Sequence, residues 1–296
     1  MSGPLSPHSG PARDIATLWW VMFVGAAIVF AVVTALVLVA ALRRRSERAS
    51  ESTAQRLVLW GGAIVPLVVL VALFAFVLHT LPATSAAQAK NGKLTIRVIG
   101  HQWFWEVRYA AGGVVTANEM HIPVGVPVRV EVRTADVIHS FWVPALNRKI
   151  DMIPGRDNEL LLQADRAGTY RGQCAEFCGV EHGLMAFFVV AEPRPRFDAW
   201  LAGQQRGADG SDAFMSVGCG GCHTIRGTDA TATFGPDLTH VASRSTLAAG
   251  TLENTPANLR RWIRDPQHVK PGNKMPTLGL DDAQVDEIAR YLETLK

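Results

Sequence analysis

Charge is scarce in the first quarter of this sequence and, apart from one short basic cluster, balanced throughout. Across 296 residues, 29 Lys and Arg stand against 26 Asp and Glu, a net charge of +3. Basic residues so evenly offset, and scattered apart from one short cluster, make no field to hold a phosphate backbone, which argues against nucleic acid as a partner. Between Leu18 and Leu42, and again between Leu57 and Leu78, there is no charged residue at all. At ~1.5 Å of rise per residue, each run exceeds the ~30 Å hydrocarbon core of a bilayer. The first run is too long for the apolar core of a secretory signal and has no basic cluster ahead of it, so it reads as an anchor. Cysteine is scarce as well: four, in two tight pairs. No internal repeat is present, and a chain of this length divides into more than one core.

Five segments follow, those of a multi-domain membrane protein. Residues 1–16 form an N-terminal segment and 17–81 a two-helix transmembrane hairpin. Its connection carries Arg43, Arg44, Arg45, Arg48 and Arg56 against Glu47 and Glu51, and short arginine-rich loops stay in the cytoplasm. Both termini and everything after Leu81 are therefore expected on the periplasmic side of a bacterial inner membrane. Pro66 is expected to bend the second span, because its missing N–H frees a carbonyl. Residues 90–191 read as a β-sandwich or Greek-key barrel. Apolar and charged residues alternate along Val128-Arg129-Val130-Glu131-Val132-Arg133, and turn signals such as Val124-Gly125 and Pro154-Gly155 recur. Glu192-Pro193-Arg194-Pro195-Arg196 ends the last strand, and 192–206 reads as a polar linker. From 207 to 296 the period turns helical: Leu259, Trp262 and Ile263 share a face, as do Val285, Ile288, Ala289 and Leu292, so an all-α domain is expected. Asp281 is placed to cap its final helix.

The first cysteine pair lies in Cys174-Ala175-Glu176-Phe177-Cys178-Gly179-Val180-Glu181-His182-Gly183-Leu184-Met185, and His139 stands one strand earlier. Two thiolates, two imidazoles and a thioether are a soft donor set suited to copper in electron transfer, and two thiolates can bridge two ions. An electron shared over such a pair moves with little rearrangement of atoms. A structural disulfide is a competing reading in an oxidising compartment, although it leaves His139, His182 and Met185 without a role. Zinc is another, although its structural sites seldom take methionine.

Cys219-Gly220-Gly221-Cys222-His223 is the attachment pattern of a c-type haem, two thiols adding to the porphyrin and the histidine taking one face of the iron. A redox Cys-x-x-Cys would instead open a helix within a βαβ unit, a context missing here. The other axial ligand is expected to be a methionine, which stabilises ferrous iron. Met275 fits best, in Gly272-Asn273-Lys274-Met275-Pro276 just before the final helix, whereas Met215 stands too close to Cys219 to reach the opposite face.

These motifs resemble subunit II of cytochrome c oxidase carrying a C-terminal cytochrome c domain. The segment from Cys174 to Met185 looks like the dinuclear CuA loop of that family. Residues 100–106 (GHQWFWE) are similar to its aromatic segment, and 137–144 (VIHSFWVP) with 149–155 (KIDMIPG) to its middle strands, a likeness running from about residue 15 to 191. The resemblance implies a cupredoxin-like sandwich. Copper would be held by the side chains of His139, Cys174, Cys178, His182 and Met185 and by the backbone carbonyl of Glu176, whose carboxylate would face a magnesium or manganese ion shared with subunit I. Trp103 would be where electrons enter; the alternative is that Trp103 and Trp105 share a packed face of one strand. Met275-Pro276 and the stretch Phe234 to Leu238 resemble small bacterial cytochromes c, with Pro236 supporting His223.

The function implied is a relay in a haem-copper oxidase. A periplasmic cytochrome c, or a bc1 complex, would reduce haem c; electrons would pass to CuA and on to haem a of subunit I, where oxygen reduction drives proton pumping. Subunit III and the lipid bilayer complete the expected partners. The chain would thus be a subunit of the enzyme without the oxygen-reducing site, since iron and copper would both be fully ligated. Two rivals remain. A nitric oxide reductase could use the same copper-bearing subunit, and a copper chaperone could carry a tethered cytochrome, although a chaperone needs an under-coordinated, exchangeable metal.

Overall fold

The structure is a computed structural model and describes residues 5–42, 50–84 and 86–296. Arg43, Arg44, Arg45, Glu47 and Arg48, on which the expected orientation leans, lie outside the described residues. Helix α1 (Gly10–Leu42) forms one apolar run. The second comprises α2 (Glu51–Leu59), a π-helical turn (Trp60–Ile64) and α3 (Val65–Thr84). Both runs are long and apolar enough to cross a membrane. Their apolar side chains face outward all round, as in Phe30 (73% exposed) and Leu70 (63%), so they need lipid or other helices about them. The expected disturbance at Pro66 takes the form of the π turn just ahead of it, where the Val65 N–H reaches back to the Trp60 carbonyl.

The segment before α1 is pinned to the sandwich. The His8 N–H donates to the Ala145 carbonyl at 2.8 Å, and the Asp165 N–H donates to the His8 carbonyl at 2.9 Å. The Ser9 hydroxyl donates to the Leu146 carbonyl, and Arg13 pairs with Asp165. Ser9, Ala12 and Ala16 are buried, and α1 begins at Gly10.

Ten strands form two five-stranded sheets. One contains β1 (Leu94–His101), β2 (Phe104–Tyr109), β3 (Val115–Ala117), β5 (Val128–Thr134) and β8 (Asn158–Leu162), in the order β3-β2-β1-β5-β8. The other contains β4 (Glu119–Pro123), β6 (His139–Trp142), β7 (Ile150–Met152), β9 (Gly168–Cys174) and β10 (Ala186–Glu192), in the order β4-β10-β9-β6-β7. Pairing is parallel at β1–β5 and β4–β10 and antiparallel elsewhere. Period two decides what β5 buries. Val128, Val130 and Val132 enter the core, while Arg97 pairs with Glu131, Arg129 with Glu159 and Arg133 with Asp157 on the outer face. At the centre Phe187 packs on Trp105 and Phe141, with ring centroids 4.9 and 4.7 Å apart.

Two expectations need correction. The stretch 192–206 is not a bare linker, since α4 (Arg194–Gly203) occupies most of it. Pro195 lies in the first turn, where a missing N–H costs nothing. The helix buries Phe197 and stacks Trp200 on His121 at 4.0 Å, so it closes the sandwich. The last domain is not all-α. Besides α5 (Asp212–Ser216), α6 (Pro256–Arg264), α7 (Pro266–Val269) and α8 (Asp282–Thr294), it holds a two-stranded hairpin, β11 (Thr246–Leu247) with β12 (Leu252–Glu253). Ala248, Ala249 and Gly250 turn the hairpin at φ of 51°, 57° and 80°. Its tip is held by the neighbouring domain, where the Ala186 N–H donates to the Ala249 carbonyl at 3.0 Å, a tertiary contact that helical periodicity does not register. Leu259, Ile263, Val285, Ile288, Ala289 and Leu292 form this domain's core.

Candidate metal centres

Strand β9 ends at Cys174, and the chain loops through Cys178 and His182 before β10 begins after Met185. Antiparallel pairing sets Phe141 of β6 opposite Cys174, so His139, at the start of β6, reaches the same end of the sandwich. Cys174 Sγ and Cys178 Sγ are 3.8 Å apart, far from the ~2.05 Å of a disulfide, and both thiols are free. His139 Nδ1 lies 3.8 Å from Cys174 Sγ, which also approaches the Glu176 carbonyl at 3.1 Å. His182 Nδ1 and Met185 Sδ lie 3.6 and 3.9 Å from Cys178 Sγ. Each sulfur of the pair thus has donors of its own while facing the other. That arrangement fits two soft ions bridged by thiolates.

Asp136, which the sequence reading passed over, orients this set. Its Oδ1 is 2.8 Å from Nε2 of the fully buried His139, leaving Nδ1 turned toward the sulfur. The Asp-x-x-His spacing was the available signal. Burial pushes the Asp136 carboxyl up, but His139 and the N–H groups of Gln102 and Val137 outweigh it and hold the pKa at about 2. Burial lowers His139, and Asp136 and Cys174 more than restore it. The hydrogen bond with Cys178 is the main force drawing Cys174 toward the thiolate, and the same bond pushes Cys178 up.

Trp103 lies in the turn between β1 and β2, so it does not alternate with Trp105 along a strand. Trp105 is core, its Nε1 donating to the Met185 carbonyl at 3.3 Å. Trp103 is only half-buried, and its Nε1 donates to the Cys178 carbonyl at 3.0 Å. The indole covers Gly179 (φ +117°), where a Cβ would come within 2.8 Å of the ring. Glu176 keeps its carboxylate near the surface, 3.6 Å from Lys149 Nζ.

In the C-terminal domain Cys219, Cys222, His223 and Met275 line one cavity, walled by apolar side chains including Leu259, Ile263 and Leu292. His223 Nδ1 donates to the Pro236 carbonyl at 2.8 Å, which leaves Nε2 for a metal. Burial holds the ring below its ordinary pKa, and neutral imidazole is the ligating form. Gly235 must be glycine, since a Cβ would sit 2.6 Å from His223 Cε1. Gln267 Nε2 donates to the Asn273 and Met275 carbonyls, both at 2.8 Å, fixing the methionine loop. Met215 packs instead against Gly220. An apolar cleft with two thiols, an imidazole and a thioether fits a covalent haem. Gln102, Trp103, Phe104 and Asn118 of the sandwich complete its wall.

Together the two sites have the donor chemistry of a copper- and haem-binding electron-transfer protein. Residues 111–192 match the model of the family described as cytochrome c oxidase subunit II, periplasmic domain, and 207–296 that of cytochrome c. Cytochrome c oxidase subunit 2 of Alkalihalophilus pseudofirmus is 40% identical over 68% of this chain and 61% of its own length. The protein of that name from Bacillus sp. PS3 is 32% identical over 81% of this chain and 74% of its own. The periplasmic domain of subunit II of cytochrome oxidase of Bradyrhizobium japonicum, a solved structure, is 35% identical over 38% of this chain and 94% of that one, at a TM-score of 0.38. The chain belongs to the cytochrome c oxidase subunit II family. Its two domains imply CuA copper and haem c, and the residues described above fit both.

Proposed function

We propose that this chain accepts electrons from a periplasmic cytochrome c or bc1 complex and passes them to subunit I of a haem-copper oxidase, where oxygen is reduced and protons are pumped. Haem c and dinuclear CuA, when bound, would supply the one-electron redox chemistry. The chain's residues do the rest. Cys219 and Cys222 would fasten the haem, and His223 and Met275 would ligate its iron. His139, Cys174, Cys178, His182, Met185 and the Glu176 carbonyl hold copper in a rigid, buried frame. Trp103 is the point where electrons enter that frame. The observation that carries the reading is its position: it lines the haem cavity on one side and donates to the Cys178 carbonyl on the other. The Glu176 carboxylate, beside Lys149 near the surface, is the group for a magnesium or manganese ion shared with subunit I.

Two apolar helices and membership of this family support a location in the bacterial inner membrane, beside subunits I and III. The docking of residues 8–13 on the sandwich supports both soluble domains lying on the side where α1 begins, the periplasmic side, with the hairpin connection in the cytoplasm. The domains are then 1–16, 17–81, 90–191 and 207–296, with 192–206 joining the last two. Relatives named as oxidase subunits favour oxygen over nitric oxide, and a six-donor copper frame does not suit a chaperone. In the assembled complex, Cys178→Ser should stop oxygen consumption driven by a reduced cytochrome c while that donor still reduces the haem. Undiminished consumption would overturn the relay.

A further inference from the structure

Lys270 is a buried cation in the wall of the haem cavity that is a candidate ligand of neither centre. It is 2% exposed. It sits in the cytochrome domain, just after α7 and five residues before Met275. Its ammonium donates to three backbone carbonyls, one from each of three segments: Leu184 at 2.7 Å, Trp103 at 3.1 Å and Ala248 at 3.4 Å. Leu184 precedes the copper ligand Met185, and Trp103 is the turn beneath the haem cavity. Ala248 belongs to the hairpin whose tip accepts the Ala186 N–H.

An ammonium has three protons, and here each has an acceptor. Taking such a group out of water is costly unless it is fully hydrogen-bonded, and hydrogen bonds from a charged donor are about twice as strong as neutral ones. Two of the three acceptors lie across the domain boundary, so separation of the domains strips the cation of most of its partners. Burial lowers the Lys270 pKa to about 8, with Glu181 and Cys178 opposing the fall, which leaves the side chain mostly charged at neutral pH. The other polar contacts of the boundary include a Ser245 clasp on Glu119 and the pair Lys274–Asp136 at 3.7 Å. Neither touches Trp103 or the copper loop's backbone.

We infer that Lys270 is a positioning residue: a buried cationic clamp that holds the cytochrome domain on the Trp103 turn and the copper loop, and so fixes the path between the two centres. Its value to electron transfer rests on the function proposed above, but the clamp itself does not. A methionine at this position keeps the length of the side chain and removes all three donors.

The test uses the full-length chain in its assembled complex, wild type and Lys270→Met, followed by hydrogen exchange. The readouts are the amides that cross the boundary, Ala186 and Ser245, against core amides of β5 and α8. In wild type the boundary amides should be protected. In Lys270→Met they should exchange about tenfold faster or more, with the core amides unchanged. The flash-induced rate from haem to copper should fall by a similar factor and become dependent on solvent viscosity, because an undocked domain must search for its seat. Boundary exchange within about twofold of wild type, or unprotected boundary amides in wild type itself, would overturn the clamp. If Lys270→Met does not accumulate, Lys270→Gln, which keeps two donors without the charge, is read against the same outcomes. Loss of the copper signal in wild type would instead strike at the proposed function and leave the clamp standing.

Discussion

At the residue scale, most candidate donors of both centres were legible because short spacings carry them, while His139 and Met275 stand far from their cysteine pairs. Cys174, Cys178, His182 and Met185 lie within one loop, and Cys219, Cys222 and His223 within one turn. Residues that act through others were not legible. Asp136 looks like any loop carboxylate until β6 folds His139 against it, and Lys270 like any surface lysine until the second domain closes over it. For Trp103, the alternative of a packed strand face shared with Trp105 fails because the turn between β1 and β2 interrupts the alternation. Asp136→Asn should weaken copper retention by about 10- to 100-fold, the usual cost of losing a carboxylate that orients a ligating histidine. Competition with a chelator measures this; unchanged retention would mean that the bond to His139 Nε2 has no part in the site.

Among the elements, β5 and α8 followed their periodicities closely. The final helix also carries a full capping box. The Gln284 N–H donates to Asp281 Oδ1 at 2.9 Å, and the Gln284 side chain accepts from the Asp281 N–H at 3.1 Å. Asp281→Ala should therefore cost about 1 kcal/mol, read as a lower unfolding midpoint of the cytochrome domain without change in the haem spectrum. The elements that escaped the sequence are those fixed by tertiary contact. Helix α4 was hidden by Pro193 and Pro195, residues that suit a helix start as well as a linker. The β11–β12 hairpin is two residues a side and is secured by the sandwich.

At the scale of the whole molecule, the boundary between sandwich and cytochrome domain has a defined response to acid. Burial pushes the Glu119 carboxyl up, but hydrogen bonds from His121 and from the N–H and hydroxyl of Ser245 outweigh it, leaving the group below its ordinary 4.5. The buried Arg244 adds attraction. The two Ser245 bonds, which cross the boundary, favour the ionised carboxyl, so their contribution to docking is present above pH 4.5 and disappears as pH falls through the lowered value. The separation of labels on the two domains should thus widen below pH 4.5, and less steeply in Glu119→Gln. A separation equally steep in the variant would remove Glu119 from the response.

The whole relay depends on paired sulfurs holding two metal ions. The direct measurement is metal and haem content of the native, assembled protein together with its electron paramagnetic resonance spectrum. Two coppers and one covalent haem per chain are expected, with an unpaired electron shared equally by two copper nuclei. A bond between Cys174 and Cys178 with no copper present would contradict it.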